Sequence, residues 1–259
     1  MSCGAALPLN DREKFIIIGS AALTVLLAWT AMVSVHGGEH AAHGAAGVLS
    51  VAGPGSHPSS FAFLFPMWTV MMVAMMLPPV LPWIWFYAAA TRAEGEGPVG
   101  WGRVAVFSSG YFAVWTGFSL VAAAAQVWLH GLGLITGAEQ RLPQGLLAGA
   151  VLLSAGFYQL SPLKGACLRH CRSPLTYFMQ RWIDGPAGAF SMGARHGFYC
   201  LACCWALMLV SFSVGVMNFA WMAALTVFLT VEKTAPGGET AGRIFGILMA
   251  GWGAYYILF

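Results

Sequence analysis

Charged side chains are too few in this chain to cover a soluble protein. The 259 residues include 12 Lys and Arg and 9 Asp and Glu, which is 8%, whereas 59% are hydrophobic. A soluble domain carries about 25% charged residues, because polar groups must meet water over its surface. The scarcity excludes a soluble single-core domain and a disordered chain. It predicts an all-α, polytopic transmembrane helix bundle, and the net charge of +3 is too small to indicate nucleic acid as a partner.

Seven apolar runs are predicted to span the bilayer, since each approaches the ~20 residues that a spanning helix needs. They are residues 15–35, 61–90, 104–129, 146–163, 190–213, 216–231 and 244–259. The second run contains Pro78, Pro79 and Pro82. Because proline removes a backbone donor and clashes with the preceding turn, we expect this helix to be kinked or broken.

The distribution of Lys and Arg predicts the orientation of these spans. With seven spans, eleven basic residues fall on one side of the membrane and only Arg141 falls on the other. The eleven are Arg12, Lys14, Arg92, Arg103, Lys164, Arg169, Arg172, Arg181, Arg195, Lys233 and Arg243. The N-terminus is therefore expected in the cytoplasm and the C-terminus outside, in a bacterial inner membrane.

This topology predicts one transmembrane helical domain, residues 15–259, after a cytoplasmic N-terminus of residues 1–14. It places a His-rich loop, residues 36–60, outside and a Cys- and His-containing loop, residues 164–189, inside. Glu232 and Lys233 are expected to pair with each other at the inner interface.

Cysteine and histidine recur together at helical spacing on the inner side. The segment PLKGACLRHCRSP holds Cys167, His170 and Cys171, which share one face if this piece is helical. The segment RHGFYCLACCWALM adds a stripe of soft ligands that continues to Met208. The ligands of that stripe are His196, Cys200, Cys203 and Cys204.

Methionines crowd the second span, where Met72, Met75 and Met76 lie within the run WTVMMVAMMLPP. Thioether and thiolate sulfur are soft donors that select Cu(I), although methionine also fills gaps in helix cores. The outer loop adds His36, His40 and His43, which we expect either to collect metal first or to be ordinary residues of a polar loop.

Other interpretations of the cysteines stay open at this point. Buried cysteine can be an inert small hydrophobe. Cys200 and Cys203 also form a CxxC sequence, which serves as a dithiol redox pair or as a metal site. Structural disulfides are not expected, because thiols on the cytoplasmic side stay reduced.

Several blocks together resemble the DUF2182 family, which is described as predicted metal-binding integral membrane proteins. The resemblance rests on WTVMMVAMMLPPVLP, YQLSPLKGACLRHCRSP and MGARHGFYCLACCWALM, and it continues through VGVMNFAWMAAL and VEKTAPGG. It covers residues 68–251. The resemblance implies metal binding but no particular reaction.

The sequence thus favours a membrane protein that handles copper, by transport or by delivery to a membrane cuproenzyme or metallochaperone partner; zinc or another soft metal is a further option. The expected ligands are Cys167, His170, Cys171, His196, Cys200, Cys203 and Cys204, with Met72, Met75 and Met76 as weaker donors. A thiol–disulfide oxidoreductase and a structural subunit of a membrane complex are the alternatives. No phosphate-binding loop, paired carboxylates or Ser/His/Asp arrangement points to an enzyme.

Overall fold

The computed structural model describes residues 9–37, 60–95, 99–135 and 140–259, and these residues form helices without any strand. The predicted all-α fold is therefore confirmed. In the described ranges the helices are α1 Asp11–Gly37, α2 Phe61–Gly95, α3 Trp101–Gly131, α4 Leu146–Leu160, α5 Pro162–Cys171, α6 Pro174–Arg181, α7 Gly185–Val214, α8 Phe219–Thr234 and α9 Gly238–Leu258. The predicted outer loop lies almost wholly outside the described residues.

Five of the described helices are long and apolar enough to cross a membrane: α1, α2, α3, α7 and α9. The pair α4 and α5 also meets the test together but bends by 64° at Ser161, which makes up to six spans. The remaining predicted span coincides with α8, whose 16 residues are short for a complete crossing. These helices fit a multi-pass membrane protein, and the exact count of seven spans stays a prediction.

Proline does not interrupt the second helix. Pro66, Pro78, Pro79 and Pro82 all lie within the continuous helix α2, so the span is not broken, and a kink in it stays a prediction. Neighbouring helices in a membrane protein can compensate for the hydrogen bonds that proline removes.

The chain divides into two compact units, and a single transmembrane helical domain stays a prediction. The first comprises residues 1–124 and 174–197, and the second comprises residues 125–173 and 198–259. Helices α3 and α7 each contribute residues to both units.

Aromatic rings and glycine contacts form the core of the first unit. Trp83 packs on Phe178, and Tyr87 stacks on Phe107 with ring centroids 4.6 Å apart. Gly193 lies directly against the Phe107 carbonyl, where a Cβ atom would overlap it. This backbone contact lets the first part of α7 approach α3 closely, as small residues do between helices in lipid.

Glycines on both helices bring α4 and α9 together in the second unit. A Cβ atom on Gly149 would lie 2.7 Å from the Gly253 carbonyl oxygen, and one on Gly156 would lie 2.7 Å from that of Gly246. Side chains are therefore absent where the two backbones cross. This packing holds the α4 end of the bent pair in place.

The segment expected to be an inner loop, residues 164–189, is largely helical, because it contains most of α5, all of α6 and the start of α7. Ser161 caps α5 by accepting a hydrogen bond from the Lys164 backbone nitrogen, and Pro162 occupies the first turn. Both residues favour a helix start. The cysteines of this segment therefore lie on a defined helix.

Candidate metal centre

Four thiols from two helices lie together inside the second unit. Cys171 ends α5, whereas Cys200, Cys203 and Cys204 lie on α7, and all four are buried. We call these four residues the thiol cluster. The Sγ atoms of Cys171 and Cys203 are 3.9 Å apart, which joins the two Cys/His motifs of the sequence through their sulfur atoms.

The helix turn of α7 orients the remaining thiols. The Sγ atoms of Cys203 and Cys204 each donate to the Cys200 carbonyl, at 3.1 and 2.9 Å. Spacings of three and four residues place these side chains on one side of the helix, as the sequence predicted. Cys204 is fully buried, so water does not compete for this sulfur.

Lys233 on α8 contacts the thiol cluster, although the Cys and His spacing of the sequence did not predict it as part of the site. Its Nζ atom donates to Cys200 Sγ at 2.9 Å and lies 3.8 Å from Cys204 Sγ. The side chain is buried, with 6% of its surface exposed. An ammonium group at this distance attracts thiolate sulfur, whereas burial favours the neutral thiol.

Glu232 does not pair with its neighbour Lys233, so that expectation was wrong. Its Oε1 atom accepts from Lys164 Nζ at 2.5 Å and from Gln159 Nε2 at 2.9 Å. Consecutive residues of a helix point in different directions. Glu232 therefore meets α4 and α5, while Lys233 meets the sulfur atoms of α7.

Arg172 fixes the end of α8 that carries Lys233. Its guanidinium donates to the carbonyls of Glu232 and Ala235, at 2.6 and 2.7 Å. The lysine backbone thus lies between two anchored residues. The motif PLKGACLRHCRSP therefore supplies both the Cys171 thiol and, in the next residue, the arginine that binds the end of α8.

Two other expected ligands, Cys167 and His170, precede Cys171 on α5. Cys167 is partly buried one turn before Cys171. His170 packs its ring against Tyr199, with ring centroids 3.7 Å apart. The sequence predicted His170 as a metal ligand on the same face as the cysteines. In the structure its ring contacts Tyr199 of α7, and a role as a ligand stays a prediction.

The remaining expected ligands belong to the first unit. His196 is buried and its ring lies 3.7 Å from Trp83 and 5.3 Å from Tyr111, centroid to centroid. The methionines of α2 are buried as well, namely Met72, Met75 and Met76. Their roles as metal donors stay predictions.

No three or more His, Cys, Asp or Glu side chains of the described residues are arranged to hold a metal ion together. The Cys171 and Cys203 sulfurs are nevertheless close to bridging distance. Two metal–sulfur bonds of ~2.3 Å would span their 3.9 Å separation if they met at roughly 115–120°. Cys204, whose Sγ donates to the Cys200 carbonyl as that of Cys203 does, lies on the same side of α7 as Cys203.

Comparison with known protein families gives a match over most of the chain. A family model described as PpoB2, copper chaperone, matches residues 65–256, and it is the DUF2182 family that the sequence resembles. The matched range includes every expected ligand on α2, α5 and α7. No curated protein and no solved structure matches the chain.

Proposed function

The chain belongs to the PpoB2 copper chaperone family, and from this premise we propose that it binds Cu(I) at the thiol cluster within a bacterial inner membrane. Soft thiolates prefer Cu(I) among the first-row metals. Burial of the four thiols excludes water, which would otherwise compete for the ion and promote its oxidation. The copper is cargo, which the protein would pass to a membrane cuproenzyme or another copper carrier.

The observation that carries this proposal is the 3.9 Å separation of Cys171 Sγ and Cys203 Sγ. The two residues come from different helices and from different sequence motifs. The buried Lys233 beside them distinguishes this cluster from the packing of inert cysteines in an apolar core. A two-sulfur bridge with Cys200 or Cys204 as a third donor accounts for the cluster as a metal site.

The other predicted donors extend this proposal to the steps before and after binding. Cys167 and His170, which are both half-buried on α5, are proposed as exchange ligands. Met72, Met75, Met76 and His196 are proposed as a second, weaker metal site. Several sites of graded strength suit transfer, because an ion must bind well enough to enter and weakly enough to leave.

Cu(I) binding to the purified protein tests the proposal. The detergent-solubilised chain is loaded with Cu(I) under reducing, oxygen-free conditions and titrated with a chromogenic Cu(I) chelator. We expect stoichiometric copper on the wild type. Replacement of either bridging residue, Cys171→Ser or Cys203→Ser, should weaken binding at least tenfold, or ~1.4 kcal/mol.

The chain offers a matched control in Cys3, which lies outside both cysteine motifs. Cys3→Ser should bind copper as the wild type does. If the wild type holds no stoichiometric copper, or if the combined variant Cys200→Ser, Cys203→Ser, Cys204→Ser retains it fully, the proposal is wrong. Co-purification with a fixed partner and no metal would instead favour a structural subunit.

His196 needs its own test, because its stacking between aromatic rings also suits a plain core residue. His196→Phe preserves a flat ring between Trp83 and Tyr111 and removes both ring nitrogens. We expect the variant to keep its melting temperature and to lose part of its copper retention under chelator challenge. Unchanged retention would remove His196 from the proposed second metal site and leave the thiol cluster untouched.

A thiol–disulfide oxidoreductase is the second candidate function, and the same sulfur contact favours it. The structure suggests Cys171 and Cys203 as the redox pair, where the sequence suggested the CxxC pair Cys200 and Cys203. Alkylation of thiols in intact cells, followed by mass analysis, separates the two functions. A copper carrier keeps these thiols reduced, whereas an oxidoreductase holds a substantial fraction as a disulfide.

A further inference from the structure

A lysine is an unusual neighbour for a cation site, and Lys233 is held beside the thiol cluster by several contacts. Its Nζ atom lies 2.9 Å from Cys200 Sγ, and the flanking carbonyls of Glu232 and Ala235 are bound by Arg172. The carboxylate of Glu232, next in sequence, accepts from Lys164 and Gln159, so its hydrogen-bond partners are not the sulfur atoms. The positive charge of Lys233 therefore acts on the sulfur atoms.

An ion bound by the cluster would feel this charge at short range. An ion on Cys200 Sγ would lie within about 5 Å of Lys233 Nζ, since a bond of ~2.3 Å follows the 2.9 Å contact. The site is buried, so water screens this repulsion poorly. Two opposing effects of the lysine follow: it attracts the thiolates, and it repels the bound ion.

These two effects separate ions by charge. For a given set of thiolates, the attraction between Lys233 and sulfur is the same whichever ion is bound. The repulsion between Lys233 and the ion is twice as large for a divalent ion as for a monovalent one. We propose that Lys233 makes the thiol cluster selective for a soft monovalent cation, Cu(I) or Ag(I), against divalent ions such as Zn(II).

This selectivity addresses a difficulty of thiolate sites, which bind Zn(II) well in many proteins. Sulfur alone distinguishes the two ions by softness, whereas the lysine adds a distinction by charge. The inference rests on the proposed function, because it assumes that the cluster holds the metal. It identifies the substrate class of that same site as monovalent.

Competition between two ions tests the inference, with Ag(I) as a monovalent probe that does not change oxidation state. The dissociation constants of Ag(I) and Zn(II) are measured on the detergent-purified full chain, and their ratio is compared among variants. Lys233→Met removes the charge and keeps the length of the side chain, whereas Lys233→Arg keeps the charge. We expect Lys233→Met to reduce the preference for Ag(I) at least tenfold, and Lys233→Arg to change it less than about threefold.

The ratio separates this role from a structural one, because a loosened site would weaken the binding of both ions alike. Lys14→Met is the matched control, since Lys14 lies on α1 and pairs with exposed Asp11, and it should leave the ratio unchanged. Lys233→Gln is a second uncharged variant in case Lys233→Met does not fold.

Two failures are distinguishable. A wild type that binds neither Ag(I) nor Cu(I) overturns the proposed function. A wild type that binds Ag(I) but exchanges it for equimolar Zn(II), or an uncharged variant whose preference equals that of the wild type, overturns the inference alone.

Discussion

Removal of Lys164 should expose how strongly the ion pair of the second unit supports the fold. Lys164 Nζ and Glu232 Oε1 are 2.5 Å apart, with 2% and 0% of the side chains exposed. Loss of one partner from such a pair costs about 3–5 kcal/mol, because the remaining charge stays buried. Lys164→Met keeps the length of the side chain and removes only the charge.

The carboxylate limits this loss by taking a proton. In the variant Glu232 keeps the Gln159 hydrogen bond but loses its cation. At pH 7, protonating a glutamate of ordinary pKa costs ~3.7 kcal/mol, and at pH 5.5 it costs ~1.6 kcal/mol. We therefore expect Lys164→Met to lose about 3–4 kcal/mol of unfolding free energy at pH 7 and about half as much at pH 5.5.

The sign of this pH effect follows from the burial of the Glu232 carboxyl, which lies one residue beyond the sixth predicted span. Burial raises the pKa of the Glu232 carboxyl, and Lys164 opposes that shift. Without Lys164 the pKa of Glu232 in the folded state rises further above its unfolded value. The unfolding free energy therefore falls as pH increases between these two pKa values, and it rises again as pH decreases. The wild type should show a weaker dependence.

Thermal unfolding in detergent provides the assay, with a maleimide dye that fluoresces when buried cysteines become accessible. A loss of 3–4 kcal/mol corresponds to about 10 °C in a chain of this size. The double variant Lys164→Met, Glu232→Gln should recover at least half of the loss, because neither charge of the pair then remains buried. A shift below 2 °C, an equal shift at both pH values, or a double variant no better than the single one would refute the reasoning. Lys14→Met, at an exposed pair, should show no shift.

Two further predictions concern the surroundings of the site. Gly242→Ala should destabilise the protein by about 1–3 kcal/mol, because its methyl group would overlap Glu232 Oε1, whereas Gly251→Ala has open space and should be neutral in the same melting assay. Mild oxidation of the copper-free protein should join Cys171 to Cys203 in a disulfide detectable by peptide mass analysis, and prior loading with Cu(I) should prevent it; a disulfide that forms equally in both states would contradict a copper site at these sulfurs.

The helices of this chain were largely predictable from its sequence, because lipid imposes long apolar runs. Six of the seven predicted spans each lie mainly on one helix, and the fourth, 146–163, crosses the bend at Ser161 from α4 into α5. The exception was the segment 164–189, where charges and prolines suggested a loop. Ser161 and Pro162 carried the missing signal, since a serine cap followed by proline marks a helix start.

The site was predictable in part. Helical spacing correctly grouped Cys200, Cys203 and Cys204 on one side of α7, because that relation depends only on the local helix. The contact between Cys171 and Cys203 depends on how α5 packs, and no local pattern contains that information.

The contacts of Lys233 also depended on helix packing, which the local sequence does not contain. Because its neighbour in the sequence is a carboxylate, the sequence predicted that Lys233 pairs with Glu232. Helix geometry separates the two side chains, and the partner of each was decided by the helix that it faces. The sequence therefore indicated Lys233 as a marker of topology and as a partner of Glu232, but not as a neighbour of the cysteines.

The glycine contacts between α4 and α9 restrict how this protein can vary over evolution. In an ordinary core, a larger side chain on one element can be accommodated by a smaller one on its partner. Here Gly149 faces Gly253 and Gly156 faces Gly246, so neither partner can become smaller. A substitution at one of these sites therefore has no compensating substitution on the other helix. We expect each of the four positions to stay glycine in related sequences, so the contact between the helices should leave no covarying pairs.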